Sequence, residues 1–450
     1  MSRKVAVNMS INPSGGVWAE VAGQTRAISQ LSQAAAAARD LIATQNHPAS
    51  PLTSPGNTTP AAQTDTGTNL AAMTHSWLVV GPPGSGRSTA AKAFAAALEC
   101  EDPDNPGCGI CAACRDVRQG THADVSVMTT EMVEIKFDDV KALVQHAYRR
   151  PVRGAWNIII IEDYDRMSEY SSNLLLKSIE EPPERTVWVL CAPSAADVLS
   201  TIRSRTRLVQ LSLPSPAAVA ELLVRQDASI SPELATEVAA AAESHVGRAR
   251  ALAYDPQLRE ERIGMLRMIA QMSSTVEAIW TAAALVKLVE KQSEALRGAG
   301  DLEERAKVLE AFGLTADTPD SQLPRDVKSA LRGAKLSETD ARRRARRASF
   351  DTWDRVLGDI SGFYRDVMLA QADSTQPRIN QSRPASELVD AYVARVGTGG
   401  ETLAQTTACL EAIRNARRRL MGNGSVALDI EALCVELAHR NRAKCKANGR

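Results

Sequence analysis

The sequence predicts a parallel α/β sheet domain followed by a helical remainder, and three observations predict it. Residues 77–80 and 157–161 are short, largely apolar runs of the kind a strand shows when both its faces are covered, and helix-forming stretches separate them from further runs at 125–128, 186–191 and 208–211. Glycines after Val80 and carboxylates after Ile161 stand just past the ends of two of these runs, where sites collect in open parallel sheets. From residue 257 no strand-like run recurs and the pattern is helical throughout, with one polar interruption at 314–324.

The first strand leads into Gly81, Pro82, Pro83, Gly84, Ser85, Gly86, Arg87, Ser88 and Thr89, and an Ala-rich stretch follows to Ala97. Strand, glycine loop and helix in that order make a P-loop in its proper setting. Glycines let backbone N–H groups turn toward phosphate oxygens, and the helix N-terminus adds its positive dipole end. Gly81, Gly84, Gly86, Arg87, Ser88 and Thr89 are therefore the candidate phosphate-binding residues, with Ser88 as the hydroxyl that would meet the Mg²⁺ of bound ATP. Arg87 stands where a lysine usually reaches the phosphates, and a planar guanidinium is no like-for-like replacement for a compact ammonium. The competing reading is a merely structural loop.

Length allows roughly two to four domains, each with a core. The 53 basic and 53 acidic side chains cancel, so no global field draws the chain to nucleic acid or to an anionic membrane, and any such contact is local. No apolar run approaches the ~18–20 residues of a membrane span. Residues 1–16 lack the hydrophobic core of a signal peptide, and the expectation is a flexible tail on a cytoplasmic protein.

Of eight cysteines, Cys100, Cys108, Cys111 and Cys114 are packed together, while Cys191, Cys409, Cys434 and Cys445 are isolated. Overlapping Cys-x-x-Cys steps let successive thiolates face one ion, and a Pro/Gly-rich loop brings Cys100 back from the end of the P-loop helix. Four thiolates make a closed tetrahedral site, so residues 100–114 read as a structural Zn²⁺ module with no open position for catalysis. Metal binding would then contribute directly to folding. Reduced cysteines or a redox pair are the alternative.

Residues 17–43 read as a helical segment carrying Trp18, Val21, Ile28 and Leu31. Residues 45–73, rich in Pro, Thr, Asn, Gly and Gln, read as a solvent-exposed insertion within the sheet domain. After a helix at 137–148, the run ending at Ile161 meets Glu162 and Asp163, where P-loop proteins carry a Mg²⁺-binding Asp and many ATPases then a water-aligning Glu. The order is reversed here. Since about 1 Å of misplacement can cost ~100-fold in rate, the expectation is weak or absent hydrolysis even with nucleotide bound. Exposed acids capping a strand are the competing reading.

Residues 168–181 read as a helix stopped by Pro182 and Pro183. Ser194 lies just beyond the next strand, and a short helical stretch leads to Ser204, Arg205 and Thr206 before the last strand. Ser215 as N-cap and Pro216 at the first helical position open a small helical domain at 213–256. Farther on, Trp353, Val356, Leu357, Ile360, Tyr364, Val367 and Met368 recur at three- and four-residue steps, a stripe for core or subunit contacts. The arginine tract at 342–347 reads as a solvated helix face, with contact to phosphates or an acidic partner as the competing reading. Residues 441–450 form a small basic tail.

Val21, Ala22, Gly23 and Gln24, the P-loop, the four-cysteine module directly after the P-loop helix, residues 173–183 and Ser204-Arg205-Thr206 together resemble the delta-prime family of bacterial DNA polymerase III clamp-loader subunits, which are AAA+ proteins, in its actinobacterial form. Thr206 stands where that family's Ser-Arg-Cys motif has its cysteine. The resemblance covers residue 17 to about residue 255; beyond that it rests on helical length and on residues 362–367. It implies an AAA+ sheet domain at 17–212, a helical lid at 213–256 and a helical collar for oligomerisation at 257–440.

The resemblance further implies a cytoplasmic, replisome-associated protein of DNA replication. Its partners would be gamma/tau and delta subunits in a five-membered ring, with ATP between neighbours, and the complex would open the sliding clamp and close it around primed DNA. The chain itself would be the stator, with Arg205 an arginine finger reaching a neighbour's ATP, a role worth ~10³–10⁵ in rate where it operates. Arg248 would be the lid arginine that senses phosphates, with Arg250 as its competitor, and Ser194 the polar sensor. A salt bridge inside the sheet domain is the competing reading of Arg205. The competing functions are an active gamma/tau-like ATPase motor, which would carry a P-loop lysine and an Asp-Glu order, and a scaffold whose P-loop binds nothing.

Overall fold

The computed structural model describes residues 15–46, 70–129, 135, 137–315, 318–334, 338–420 and 425–441. Most of the expected insertion at 45–73, and nearly all of the expected tails at 1–16 and 441–450, lie outside the described residues. The chain divides into two compact units: the first runs to Ala235 and includes Ser244–Gly247, and the second contains Thr236–Glu243 and the chain from Arg248. This division passes through residues 213–256, which the sequence presents as a lid of their own.

In the first unit β1 (Ser76–Val80), β2 (Val125–Met128), β3 (Asn157–Ile161), β4 (Thr186–Ala192) and β5 (Arg207–Gln210) form one sheet in the order β2-β3-β4-β1-β5. Every pairing is parallel. The helices are α1 (Thr25–Asn46), α2 (Arg87–Leu98), α3 (Ala112–Gln119), α4 (Phe137–Ala147), α5 (Glu169–Glu180), α6 (Ser200–Arg203) and α7 (Pro216–Gln226). Strand side chains alternate between two covers, as the period of two requires. Trp77, Val79, Ile158, Ile160, Val189 and Cys191 pack with α1, α2 and α3, while Leu78, Val80, Ile159, Ile161, Trp188 and Leu190 pack with α4, α5 and α6. Each such large side chain taken from water contributes about 1.5–3 kcal/mol, which is why β1, β3 and β4 tolerate hardly any polar residue.

The helix expected from residue 17 is broken in two. Residues Gly16–Glu20 form a single 3₁₀ turn and α1 begins only at Thr25, because Gly23 takes a left-handed φ of +68°, a conformation that ends the helical path. Helix starts are as the sequence has them: the hydroxyl of Ser168 accepts from Ser171 N at 3.2 Å, and that of Ser215 from Ala218 N at 3.1 Å with Pro216 next.

The division between the units falls within α8 (Pro232–Ala241) and α9 (Val246–Tyr254). The second unit continues with α10 (Pro256–Gln271), α11 (Thr275–Ala311), α12 (Arg325–Ala334), α13 (Glu338–Gln371), α14 (Arg383–Val396), α15 (Gly400–Leu420) and α16 (Val426–Asn441). The stripe on α13 is its core: Trp353, Val356, Leu357, Ile360, Tyr364 and Val367 are buried with Leu266, Leu285, Tyr392, Ile413 and Leu437. In the arginine tract, the Arg346 guanidinium lies 5.3 Å from the Phe350 ring centroid and Arg347 sits 3.4 Å from Asp351, so part of this charge is engaged along α13 itself.

Candidate functional site

The P-loop leaves β1 at Gly81, whose N–H donates to the Ala192 carbonyl at the end of β4 at 3.3 Å. Register pairs Val80 with Ala192 and Ile161 with Leu190, so Glu162, Asp163 and Ser194 emerge at the same edge of the sheet as the glycine loop. Gly84 has φ +86°, and a Cβ there would lie 2.9 Å from the Cα and ring of His245, so only glycine fits. Gln24 holds the loop from outside: its Nε2 donates to the carbonyls of Ser85 at 3.3 Å and Ser212 at 2.5 Å, and Ser212 N donates back to its Oε1 at 3.2 Å.

The first turn of α2 presents the N–H groups of Arg87, Ser88 and Thr89, which a helix leaves without intrahelical partners. The buried hydroxyl of Ser85 has no hydrogen-bond partner among the described residues. A loop with these donors fits a phosphate chain. The Arg87 guanidinium is turned back onto the Gly81 carbonyl. Ser194 is exposed and caps a 3₁₀ turn, accepting from Ala196 N at 3.2 Å.

The acidic pair is occupied by protein cations. Lys92 Nζ lies 2.8 Å from Glu162 Oε1, with only 15% of the Glu162 side chain exposed, and Arg166 stands 4.0 Å from Asp163. Mg²⁺ demands near-octahedral oxygen ligands at about 2.0–2.1 Å. Glu162, the carboxylate at the Mg²⁺ position, already has a lysine ammonium against one of its two oxygens, an ion pair without hydrogen-bond geometry, so the residues as arranged are a poor fit for it. Sequence reasoning passed over Lys92; its position five residues after Arg87, on the P-loop helix itself, is the signal that could have found it.

The Sγ atoms of Cys100, Cys108, Cys111 and Cys114 lie within 4.8 Å of one another. Backbone N–H groups point at the sulfurs: Cys108 N to Cys100 Sγ, Cys111 N to Cys108 Sγ and Cys114 N to Cys111 Sγ, each at 3.4 Å. Such bonds favour thiolates. The neighbouring Cys114 thiol pulls the Cys100 thiol well below its ordinary range, and the same proximity pushes Cys114 up. The donor set fits a metal ion held by four thiolates. The knuckle is tied to the chain before it, since Val17 N donates to the Gly107 carbonyl at 2.9 Å and Arg39 to the Cys100 carbonyl at 3.1 Å.

Arg205 follows α6 and directly precedes β5. Register sets Arg207 opposite Trp77, near the start of β1, so Arg205 lies at the edge of the sheet away from the P-loop. Its guanidinium meets Glu180 Oε1 at 3.1 Å and the Thr201 carbonyl at 3.0 Å, with 38% of its side chain exposed. Arg248 belongs to the second unit, where it pairs with Asp359; Asp359 also takes Arg262 Nε at 2.5 Å, and Arg262 reaches Asn380 Oδ1 at 2.7 Å. Arg250 is exposed. Among the described residues no helix is long and apolar enough to cross a membrane.

Residues 61–215 match the family described as DNA polymerase III, delta subunit. The chain is 37% identical over 151 residues to the DNA polymerase III subunit delta-prime of Pseudomonas aeruginosa, covering 33% of this chain and 45% of that one. It is 26% identical over 196 residues to delta-prime of Bacillus subtilis, covering 44% of this chain and 59% of that one. To the gamma/tau subunit of Mycobacterium tuberculosis it is 29% identical over 155 residues, 34% of this chain and 27% of that one. Each match thus spans less than two thirds of its relative's length. Over its P-loop and sheet region the chain is similar to DNA polymerase III subunits of the delta-prime and gamma/tau types.

Proposed function

We propose that the chain is the delta-prime stator of a bacterial clamp loader and that Arg205 is an arginine finger for a neighbouring subunit's ATP. The observation that carries this is the position of Arg205 at the sheet edge opposite its own P-loop. From Trp77, opposite Arg207, to Gly81 is four residues of strand, about 13 Å at the rise of an extended chain. Arg205 lies two residues beyond that, too far for its side chain to serve its own nucleotide, yet at the surface where a second subunit can present one.

The departures at Arg87 and at Glu162-Asp163 favour the stator over a gamma/tau-like motor, since a subunit that lends a finger need not hydrolyse. The P-loop then holds ATP or none, the four cysteines hold a structural Zn²⁺, and the helical second unit joins gamma/tau and delta partners in a ring that acts on the sliding clamp and primed DNA. Exposed Ser194 keeps the sensor position, while Arg248 is engaged by Asp359 within the second unit, which speaks against the sensing role for it.

The test is DNA- and clamp-stimulated ATP hydrolysis by the reconstituted loader with wild-type chain or its Arg205→Ala form. Loss of turnover by ~10³-fold with assembly intact supports the finger. Unchanged turnover overturns it and leaves a self-contained ATPase or a scaffold.

A further inference from the structure

The mismatch between the acidic pair and a divalent ion reaches further than weak catalysis. Lys92 projects from α2 onto Glu162 at the end of β3, and the pair joins the P-loop helix to the strand end where a metal would sit. Mg²⁺ taken by the Glu162 carboxylate would stand next to the Lys92 ammonium, which lies 2.8 Å from Oε1. Mg²⁺, Lys92 and Arg87 would then all serve one phosphate chain, and like charges at close range oppose one another. The cheaper arrangement keeps Lys92 in place as a fixed positive charge.

We infer that the P-loop of this chain takes a nucleoside di- or triphosphate with its own cations, Lys92 and Arg87, in the place that Mg²⁺ holds in other P-loop proteins, so that binding is independent of divalent metal. The inference rests on the reading that this P-loop binds nucleotide. Lys92 supplies a charge fixed by Glu162, and Arg87, five residues earlier on the same helix, swings from the Gly81 carbonyl to the phosphates when they arrive. Lys92 is a positioning residue in this scheme: it holds Glu162 and sets the charge of the site. The nucleotide becomes a structural ligand that orders the glycine loop and the start of α2.

The experiment is calorimetric titration of the full-length chain with ATP and with ADP, in excess Mg²⁺ and in excess EDTA, for wild type, Lys92→Met and Lys92→Arg. The wild-type dissociation constant is expected to agree within about threefold between the two media, and Lys92→Arg to behave likewise. Lys92→Met is expected to lose ~10-fold or more in EDTA, about 1.4 kcal/mol, and to regain it with Mg²⁺, now free to take Glu162. A wild type that binds ~10-fold more weakly in EDTA overturns the inference, as does a folded Lys92→Met that binds like wild type in both media. Absence of binding by wild type in either medium has a different meaning: it overturns the nucleotide reading itself, and this inference with it. Because the Lys92 side chain is 38% exposed, thermal melts of the variants serve as the check on folding.

Discussion

Replacing Glu180 by Ala separates the two roles open to Arg205. The pair meets at 3.1 Å, but the side chains are 38% and 56% exposed, so it sits in a high effective dielectric and is screened by salt. Such pairs stabilise by about 0.2–1 kcal/mol, which shifts a melting temperature by no more than about 4 °C in a chain of this size. Arg205 keeps its bonds to the Thr201 carbonyl and the Ser204 hydroxyl when Glu180 is gone. A finger, by contrast, stabilises the transition state in the neighbour by ~4 kcal/mol or more, corresponding to ~10³-fold. Glu180→Ala is therefore expected to leave turnover of the reconstituted loader within about threefold of wild type, while Arg205→Ala abolishes it; steady-state hydrolysis and a thermal melt of each variant check this. If the two substitutions lowered turnover equally, Arg205 would be acting through Glu180, as an internal brace, and the finger would be refuted.

Three further outcomes are expected. Cys114→Ala should remove the metal: elemental analysis should find about one zinc per wild-type chain and none in the variant, and limited proteolysis should open the knuckle, since a structural zinc contributes ~10–16 kcal/mol, as much as a domain's whole stability. Asp124 accepts N–H groups from Val152 at 2.6 Å, Arg153 at 2.8 Å and Gly154 at 2.6 Å, so Asp124→Asn should cost about 2–4 kcal/mol at neutral pH in denaturant unfolding. Burial alone would raise the Asp124 pKa, but those bonds outweigh it and hold the group below its ordinary value, so the stabilisation is present above about pH 4 and fades as pH falls through the folded-state pKa; the gap between wild type and variant should close there. Asp359→Ala should destabilise the second unit by about 3–5 kcal/mol in urea, because it removes the carboxylate that holds the buried guanidinium of Arg262; a loss under about 1 kcal/mol would show that water or Asn380 suffices.

What could be read from the sequence was whatever has a local cause. Strands buried on both faces must be apolar along their whole length, so β1, β3 and β4 stand out as runs, and the four cysteines and the cap Ser215 act within a few residues of themselves. What stayed hidden was pairing at a distance. Glu162 and Lys92 are 70 positions apart, Arg262 and Asp359 are 97 apart, and nothing in the flanking residues of either member names the other. Asp366 is fully buried near the C-terminal end of α13, where an isolated acid reads as solvated; it is there because it accepts Ile379 N at 3.0 Å and Asn380 N at 2.7 Å from the loop before α14. The break at Gly23 was missed because a lone glycine inside an alanine-rich pattern is tolerated by a helix as often as it ends one.

A parallel sheet also explains why one chain can be poor in its own chemistry and still matter to a neighbour's. All five strands point the same way, so the loops after them collect at one edge and the loops before them at the other. The P-loop, Glu162, Asp163 and Ser194 share the first edge, while Arg205 stands at the second, before β5, held by a surface pair with Glu180 and local bonds to Thr201 and Ser204. Changes at one edge, such as Arg87 for lysine or the Glu-Asp order, leave the other untouched, because the strands between are a rigid, buried spacer. A loss of hydrolysis at the first edge and a finger at the second, as proposed, would thus be separable, and a double variant, Lys92→Met with Arg205→Ala, should show independent effects on nucleotide affinity here and on turnover next door, additive in free energy as distant sites are.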